Sequence, residues 1–254
     1  MSKWTLQGKK ALITGSTKGI GLAAAQEMAE LGAEVFINSR HAGEVEKTVE
    51  ELTRAGHVAY GFAADLSTHE GREQLLRSVQ QRWSHLDILV NNVGMNIRKS
   101  FADYEETEYR QIFETNLMSA LALTQACYPM LKAAGRASVV NVASVAALVD
   151  VRSGAPYGMT KAAMVQMTRS LAVEWAPEGI RVNAVSPWYT RTPLAAPVLE
   201  QPERLQLILN RTPMGRIAEA EEMAGIIAFL AMEQSSYVTG QNIVADGGMT
   251  CAGL

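Results

Sequence analysis

Short runs of β-branched and other apolar residues alternate with longer amphipathic stretches along the whole chain, and this alternation constrains the fold more than any other feature. Apolar runs at Ala11–Thr14, Glu34–Asn38, Val58–Ala63, Asp87–Asn91, Ser138–Val142, Ile180–Val185 and Asn242–Ala245 read as strands. Between them the spacing predicts helices over Gly19–Leu31, Gly43–Arg54, His69–Trp83, roughly Glu105–Lys132, and Ala155–Trp175, the last stopped by Pro177 and Gly179. Strands that are apolar throughout and separated by helices belong to a parallel sheet covered on both faces. Right-handed crossovers then give a doubly wound, Rossmann-type α/β arrangement of about seven strands. The stretch from Pro187 to Pro213 carries five prolines and reads as irregular, a segment near 188–213 expected to cover the ligand crevice. No repeat or linker interrupts the pattern, so one domain over 1–254 is expected.

Composition removes several alternatives. With 48% hydrophobic residues, 19% charged residues and a net charge of −3, there is no basic excess to neutralise phosphates, and a nucleic-acid partner is not expected. The N-terminal segment Met1–Lys10 lacks the apolar core of a secretory signal. No apolar run reaches the ~18 residues of a membrane span, so no membrane partner is expected either. The two cysteines, Cys127 and Cys251, have no metal-ligand spacing; they read as free thiols of a cytoplasmic protein, and no metal is expected.

The first strand runs into Thr14-Gly15-Ser16-Thr17-Lys18-Gly19-Ile20-Gly21, which opens the first helix. Glycines permit a sharp turn and let a pyrophosphate approach the N–H groups at the positive helix end. The Gly-x-x-x-Gly-x-Gly spacing differs from the common dinucleotide fingerprint and from the P-loop, and gains meaning from its place between strand and helix. An acid at the end of the second strand would hold the 2′-hydroxyl of NAD, whereas arginine suits a 2′-phosphate. Here the strand ends Asn38-Ser39-Arg40, and Lys18 lies in the glycine turn, which points to NADP(H).

Tyr157 and Lys161 lie four residues apart on one helical face. A neighbouring ammonium lowers a phenol from its ordinary pKa near 10, which suits proton delivery to a forming alkoxide. By itself the spacing is also that of an ordinary exposed helix pair. Ser144 follows the fifth strand, and Asn91-Asn92-Val93-Gly94 follows the fourth; carboxyl ends of such strands border the ligand crevice.

These motifs, in this order, closely resemble those of the short-chain dehydrogenase/reductase family over essentially the whole chain. The resemblance covers Thr14-Gly15 through Gly21, Asp65 in Ala64-Asp65-Leu66-Ser67, Asn91 to Gly94 where the family usually has alanine at the position of Val93, Asn116, Ser144, and Tyr157 with Lys161. It continues through Pro187-Trp188-Tyr189-Thr190-Arg191-Thr192 and Tyr237 to Gln241, followed by Asp246-Gly247-Gly248. It implies that Tyr157 is the acid–base and that Lys161 lowers its pKa and binds the nicotinamide ribose. Ser144 then positions the carbonyl, and Asn116 holds a water that links Lys161 to solvent. Cofactor contacts implied are Gly15, Ser16, Thr17, Lys18, Gly19, Ile20, Gly21, Ser39, Arg40, Asp65, Leu66, Asn92, Val93, Gly94, Tyr157, Lys161, Pro187, Thr190 and Thr192, the last on the carboxamide. Substrate contacts implied are Ser144, Val145, Tyr157, Trp188 and Tyr189.

Trp188 departs from the family glycine, which allows positive φ and close approach to the cofactor. The tropinone reductase-like branch has Pro-Trp-Tyr here, and shares Lys18, Ser39, Arg40 and the segment Arg211 to Arg216. The reaction expected is NADPH-dependent, reversible reduction of a small ketone, cyclic or apolar, because Val145, Ala146, Leu148, Trp188, Tyr189, Leu194 and Val198 give a mostly apolar pocket. Asp150 and Glu200 are the acids available to a cationic substrate, though loop acids are ordinarily solvated. Two alternatives remain: reduction of a 3-oxoacyl thioester on a carrier protein, and a catalytically silent NADP-binding regulator. Carrier binding wants a basic patch, and the helix after Lys161 offers Arg169 but then Glu174 and Glu178. A regulator needs no proton relay. The resemblance also implies a homotetramer or homodimer through the helices at Glu105–Lys132 and Ala155–Trp175, with Ala162, Ala163, Met164, Met167 and Leu171 as an apolar stripe; burial within one chain explains that stripe equally.

Overall fold

A computed structural model describes residues 4–252. The readings made on residues 1–3 and 253–254, including the start of the segment read as no secretory signal, lie outside the described residues. Seven parallel strands form one sheet in the order β3-β2-β1-β4-β5-β6-β7. They are β1 (Lys10–Ile13), β2 (Glu34–Ser39), β3 (Ala59–Ala63), β4 (Ile88–Asn91), β5 (Ala137–Val142), β6 (Ile180–Pro187) and β7 (Asn242–Ala245). The order reverses between β1 and β4, and this topological switch point fixes the ligand crevice at the carboxyl ends of those strands.

Helices cover both faces. On one, α1 (Gly19–Glu30), α2 (Ala42–Arg54) and α9 (Ala220–Ala231) bury Ala24, Met28, Leu52, Ala224 and Ile227 against Ile13, Ile37 and Val90. On the other, α3 (His69–Arg82), α5 (Ser119–Ala133) and α6 (Ala155–Trp175) bury Leu75, Leu123, Met130 and Trp175 against Leu12, Leu89 and Val139. Alternate residues of β1 and β4 thus enter opposite cores, which is why these strands are apolar throughout. Cys127 lies in the second core, where burial pushes its thiol up to about 12 and leaves it inert; Cys251 is exposed, and both are free. Among the described residues no helix is long and apolar enough to cross a membrane.

Three departures from the sequence reading matter for the site. The long helical region breaks into α4 (Glu106–Phe113), a π-helical turn at Glu114–Met118, and α5. The proline-rich stretch is not irregular throughout, because it contains α7 (Ala196–Leu199) and α8 (Pro202–Arg211). Prolines near the start of both helices use positions whose N–H has no intrahelical partner, so the residues that suggested a loop also start helices. Finally, α9 has no counterpart in the sequence reading; its Glu219/Glu222 capping box and apolar run were the available signal.

Candidate active site

A cavity of about 700 Å³ runs along the carboxyl ends of the strands, from the glycine turn to the segment after β6. At the turn, Gly15 and Gly19 adopt φ of 61° and 54°, values that glycine takes without strain. A Cβ on Gly21 would lie 2.3 Å from the Gly15 carbonyl oxygen and 2.4 Å from Asn92 Nδ2, so only glycine lets α1 pack here. Asn92 Nδ2 donates to the carbonyls of Thr14 (3.1 Å) and Gly15 (3.0 Å), stapling the end of β4 to the turn. No side chain caps α1, so the N–H groups of its first turn are left for a ligand. This cradle fits a dinucleotide pyrophosphate.

Most of the cofactor residues expected from sequence line this cavity: Gly15, Thr17, Lys18, Gly19, Ile20, Ser39, Arg40, Asp65, Leu66, Asn92, Val93, Gly94, Tyr157, Lys161, Pro187, Thr190 and Thr192. Ser16 and Gly21 do not. The Ser16 hydroxyl turns inward, donating to the Ile13 carbonyl (2.7 Å) and accepting from the Asn38 N–H (3.0 Å), and so locks the turn to β2. At the outer corner an acid missing from the end of β2 arrives from α2. Glu44 Oε1 lies 2.6 Å from Lys18 Nζ, and its Oε2 accepts from the Thr17 hydroxyl at 3.1 Å. The Lys18 contact holds the Glu44 carboxyl below its ordinary range against the opposing effect of desolvation, with a smaller contribution from Thr17. Sequence inspection of the strand end overlooked Glu44 because it stands 26 residues from Lys18.

At the far end Ser144 follows β5 and Tyr157 stands in the first turn of α6, both on the cavity wall. Burial raises the Tyr157 phenol above its ordinary value; hydrogen bonding by the Ser144 hydroxyl and the charge of Arg98 pull against that rise. Lys161 was the expected source of this downward pull. Its Nζ stands 5.8 Å from the phenol ring centre and donates to the Val142 carbonyl at 2.8 Å. Although it borders the cavity, Lys161 is almost wholly buried, and burial lowers it to about 8.

Asn116 sits in the π-helical turn, fully buried and off the cavity wall. Its Oδ1 accepts from the Met95 N–H (2.8 Å), while its Nδ2 donates to the Met95 carbonyl (2.9 Å) and to Thr160 Oγ1 (3.3 Å). Both amide hydrogens are therefore committed, and the residue clamps the loop after β4 to α6. π-Helical insertions commonly mark such functional points. Asn91, one residue before the motif's staple, bonds Thr124 Oγ1 and Asn141 Oδ1 at 2.8 Å each, and Asn141 continues to Thr168 Oγ1 at 2.9 Å. That chain ties β4 and β5 to the helices behind the site.

The segment after β6 closes over the crevice. Thr192 packs on the glycine turn, where a Cβ on Gly19 would meet Thr192 Cγ2 at 3.0 Å. Trp188 takes ordinary backbone angles, since Arg152 is the one non-glycine residue at positive φ among those described. Its indole N–H donates to Thr212 Oγ1 (3.0 Å), and its ring meets Tyr189 edge-on at 4.7 Å. Both rings pack with Val198, Ile208 and Ile217 in a small core beneath α7 and α8. The tryptophan thus anchors the covering segment to the body while also lining the cavity. Of the other apolar residues expected around substrate, Val145 and Leu194 line the cavity; Ala146, Leu148 and Val198 do not.

A doubly wound sheet with a dinucleotide cradle at its switch point, continuous with a serine–tyrosine–lysine cluster, defines an oxidoreductase of the nicotinamide-dependent class. A family model described as enoyl-(acyl carrier protein) reductase matches residues 15–250. A tropinone reductase homologue of Arabidopsis thaliana is 45% identical over 253 residues, covering 99% of this chain and 96% of its own length. Senescence-associated protein 13 of the same plant is 40% identical over 254 residues, covering 100% and 94%. Among solved structures, gluconate 5-dehydrogenase from Burkholderia cenocepacia J2315, in complex with NADP and tartrate, superposes with a TM-score of 0.95 at 31% identity, covering 99% of this chain and 98% of that one. L-Sorbose reductase from Gluconobacter frateurii, complexed with NADPH and L-sorbose, gives 0.92 at 28% identity, with 99% and 100% covered. The chain belongs to the short-chain dehydrogenase/reductase family, on its tropinone reductase-like side.

Proposed function

We propose that the protein is an NADPH-dependent reductase of a small ketone, reversible toward the secondary alcohol, with Tyr157 as proton donor. The observation that carries this reading is the meeting of Ser144 and Tyr157 in the same cavity as the glycine turn, with Lys161 buried behind them. NADPH, when bound, supplies the hydride. The first turn of α1 would hold the pyrophosphate, and Lys18 with Arg40 would receive the 2′-phosphate. Ser144 orients the carbonyl oxygen toward Tyr157, whose phenol gives its proton to that oxygen as negative charge develops. Burial keeps Lys161 near the point where it exchanges a proton at working pH, which suits it to restore the phenol. Val145, Val151, Trp188, Tyr189 and Leu194 exclude water from the reacting carbonyl.

Tyr157→Phe tests the assignment: turnover falls by at least ~100-fold while NADPH binding, followed by fluorescence titration, is kept. Retained turnover overturns it. A higher kcat/KM with NADH than with NADPH overturns the cofactor preference, which Arg40→Ala should selectively weaken. The carrier-protein alternative is separated by comparing a carrier-linked 3-oxoacyl thioester with a free cyclic ketone, and single-turnover NADPH oxidation disposes of the silent regulator. Assembly is part of the proposal. Met164 of the apolar stripe is buried within the chain, but Met118, Leu121, Met159 and Val173 remain exposed on or beside α5 and α6. Pairing through these helices into a homotetramer covers them, and light scattering tests it.

A further inference from the structure

The substrate end of the cavity holds a cation that neither the sequence reading nor the proton relay uses. Arg98 follows β4 in the loop that Asn116 clamps at Met95, and lines the cavity with Gln111 and Thr115 of the facing helical region. It is half-buried, and its Nε–H is fully enclosed with no acceptor. Among the described residues no carboxylate lies within ion-pair distance of it, whereas Lys99 beside it is paired with Glu108 at 2.5 Å. An enclosed guanidinium N–H without an acceptor is costly; the terminal nitrogens of Arg98 are not enclosed, and they are the ones a ligand in the cavity can meet.

The other cavity-lining cations are accounted for. Lys18 and Arg40 stand at the corner assigned to the 2′-phosphate, and Lys161 donates to the Val142 carbonyl. Arg98 alone of these four faces the space before Ser144 and Tyr157 without an assigned task, close enough for its charge to act on the phenol.

We propose that Arg98 docks a carboxylate of the substrate, so that the ketone taken by this site is an oxo acid. The inference rests on the ketone-reductase reading of the cavity and names its substrate class. A carboxylate fits better than a phosphate, because the planar fork of arginine matches two coplanar oxygens. Among the described residues no second free cation lines this end to neutralise a dianion. The apolar walls from Val145, Val151 and Leu194 then hold the carbon skeleton between two fixed points, the carboxylate on Arg98 and the carbonyl on Ser144 and Tyr157. Two-point attachment of this kind fixes which face of the carbonyl meets the cofactor.

The experiment compares 4-oxocyclohexanecarboxylate with its methyl ester, a pair alike in shape and different in charge. With NADPH, the native protein should show a kcat/KM at least about tenfold higher for the acid than for the ester. In Arg98→Met that ratio should collapse toward one, and Arg98→Lys should restore part of it. The ratio isolates docking, since loss of charge near Tyr157 slows both ketones together. Calorimetric titration of the NADP⁺-loaded protein with the acid gives a second readout without turnover: its Kd should weaken at least about tenfold in Arg98→Met. An acid bound no better than the ester, or a Kd and ratio unchanged in Arg98→Met, overturns the inference. Acid binding that depends on Arg98 without any NADPH oxidation keeps the anion site and overturns the reductase reading instead.

Discussion

Replacing Lys161 by methionine should make the cofactor-free protein more stable while abolishing its chemistry. The side chain is 3% exposed, and burial lowers its pKa from 10.5 to about 8. A difference of that size means that holding the ammonium in the folded state costs roughly 3 kcal/mol at neutral pH. Methionine has a similar length and no charge, so the variant escapes this cost. It also loses the 2.8 Å bond to the Val142 carbonyl, worth about 1 kcal/mol. The net gain of about 2 kcal/mol corresponds to a Tm rise of roughly 4–8 °C for a chain of this length. The pH dependence has a definite sign. Below about 8 both folded and unfolded lysine are protonated, and the cost is present in full. Between about 8 and 10.5 the folded lysine gives up its proton while the unfolded one keeps it, so native stability rises and the advantage of the variant fades. Thermal unfolding of both proteins from about pH 7 to about pH 10, followed by circular dichroism, measures this window. A variant that melts below the native protein at neutral pH, or a gap that stays flat across the window, would refute the reasoning. The expected pattern is a trade of stability for function at a buried lysine.

Two further perturbations address the cofactor end. Glu44→Gln removes the carboxylate that competes with a 2′-phosphate for Lys18 and Thr17, so the ratio of kcat/KM for NADPH over NADH should rise roughly threefold to tenfold; an unchanged or falling ratio counts against a 2′-phosphate at this corner. Gly21→Ala places a Cβ against the Gly15 carbonyl and Asn92, contacts of 2.3 and 2.4 Å that the backbone must open to relieve. Urea unfolding should show a loss of about 1–3 kcal/mol, and the Kd for NADPH should weaken by about tenfold or more; a variant matching the native protein in both would mean that the turn tolerates the methyl group.

Much of this molecule was legible in its sequence, and the reason is local. The bounds of β7 and α6 and the glycine turn follow from periodicity and from backbone angles set within a few residues. Lys161 sits one helical turn beyond Tyr157, so their shared face needed no tertiary information. The π-helical turn around Asn116 was not legible, because an amphipathic pattern continues through it almost unchanged. Helices α7 and α8 were hidden by the prolines that begin them, and α9 by a largely apolar composition that gives little contrast between its faces.

Sequence by itself determined the doubly wound sheet, the cradle at the end of β1 and the pairing of Tyr157 with Lys161 on one face of α6. Only the tertiary structure decided what surrounds them: Glu44 on Lys18, Arg98 on the cavity wall, Asn116 bonded to the Met95 backbone, and a Lys161 lowered by its own burial. Periodicity and turn chemistry act over one or two turns of chain, whereas contact between residues 21 or 26 positions apart depends on strand order and loop closure. Burial, which sets the charge state of the reacting groups, exists only once both cores have closed.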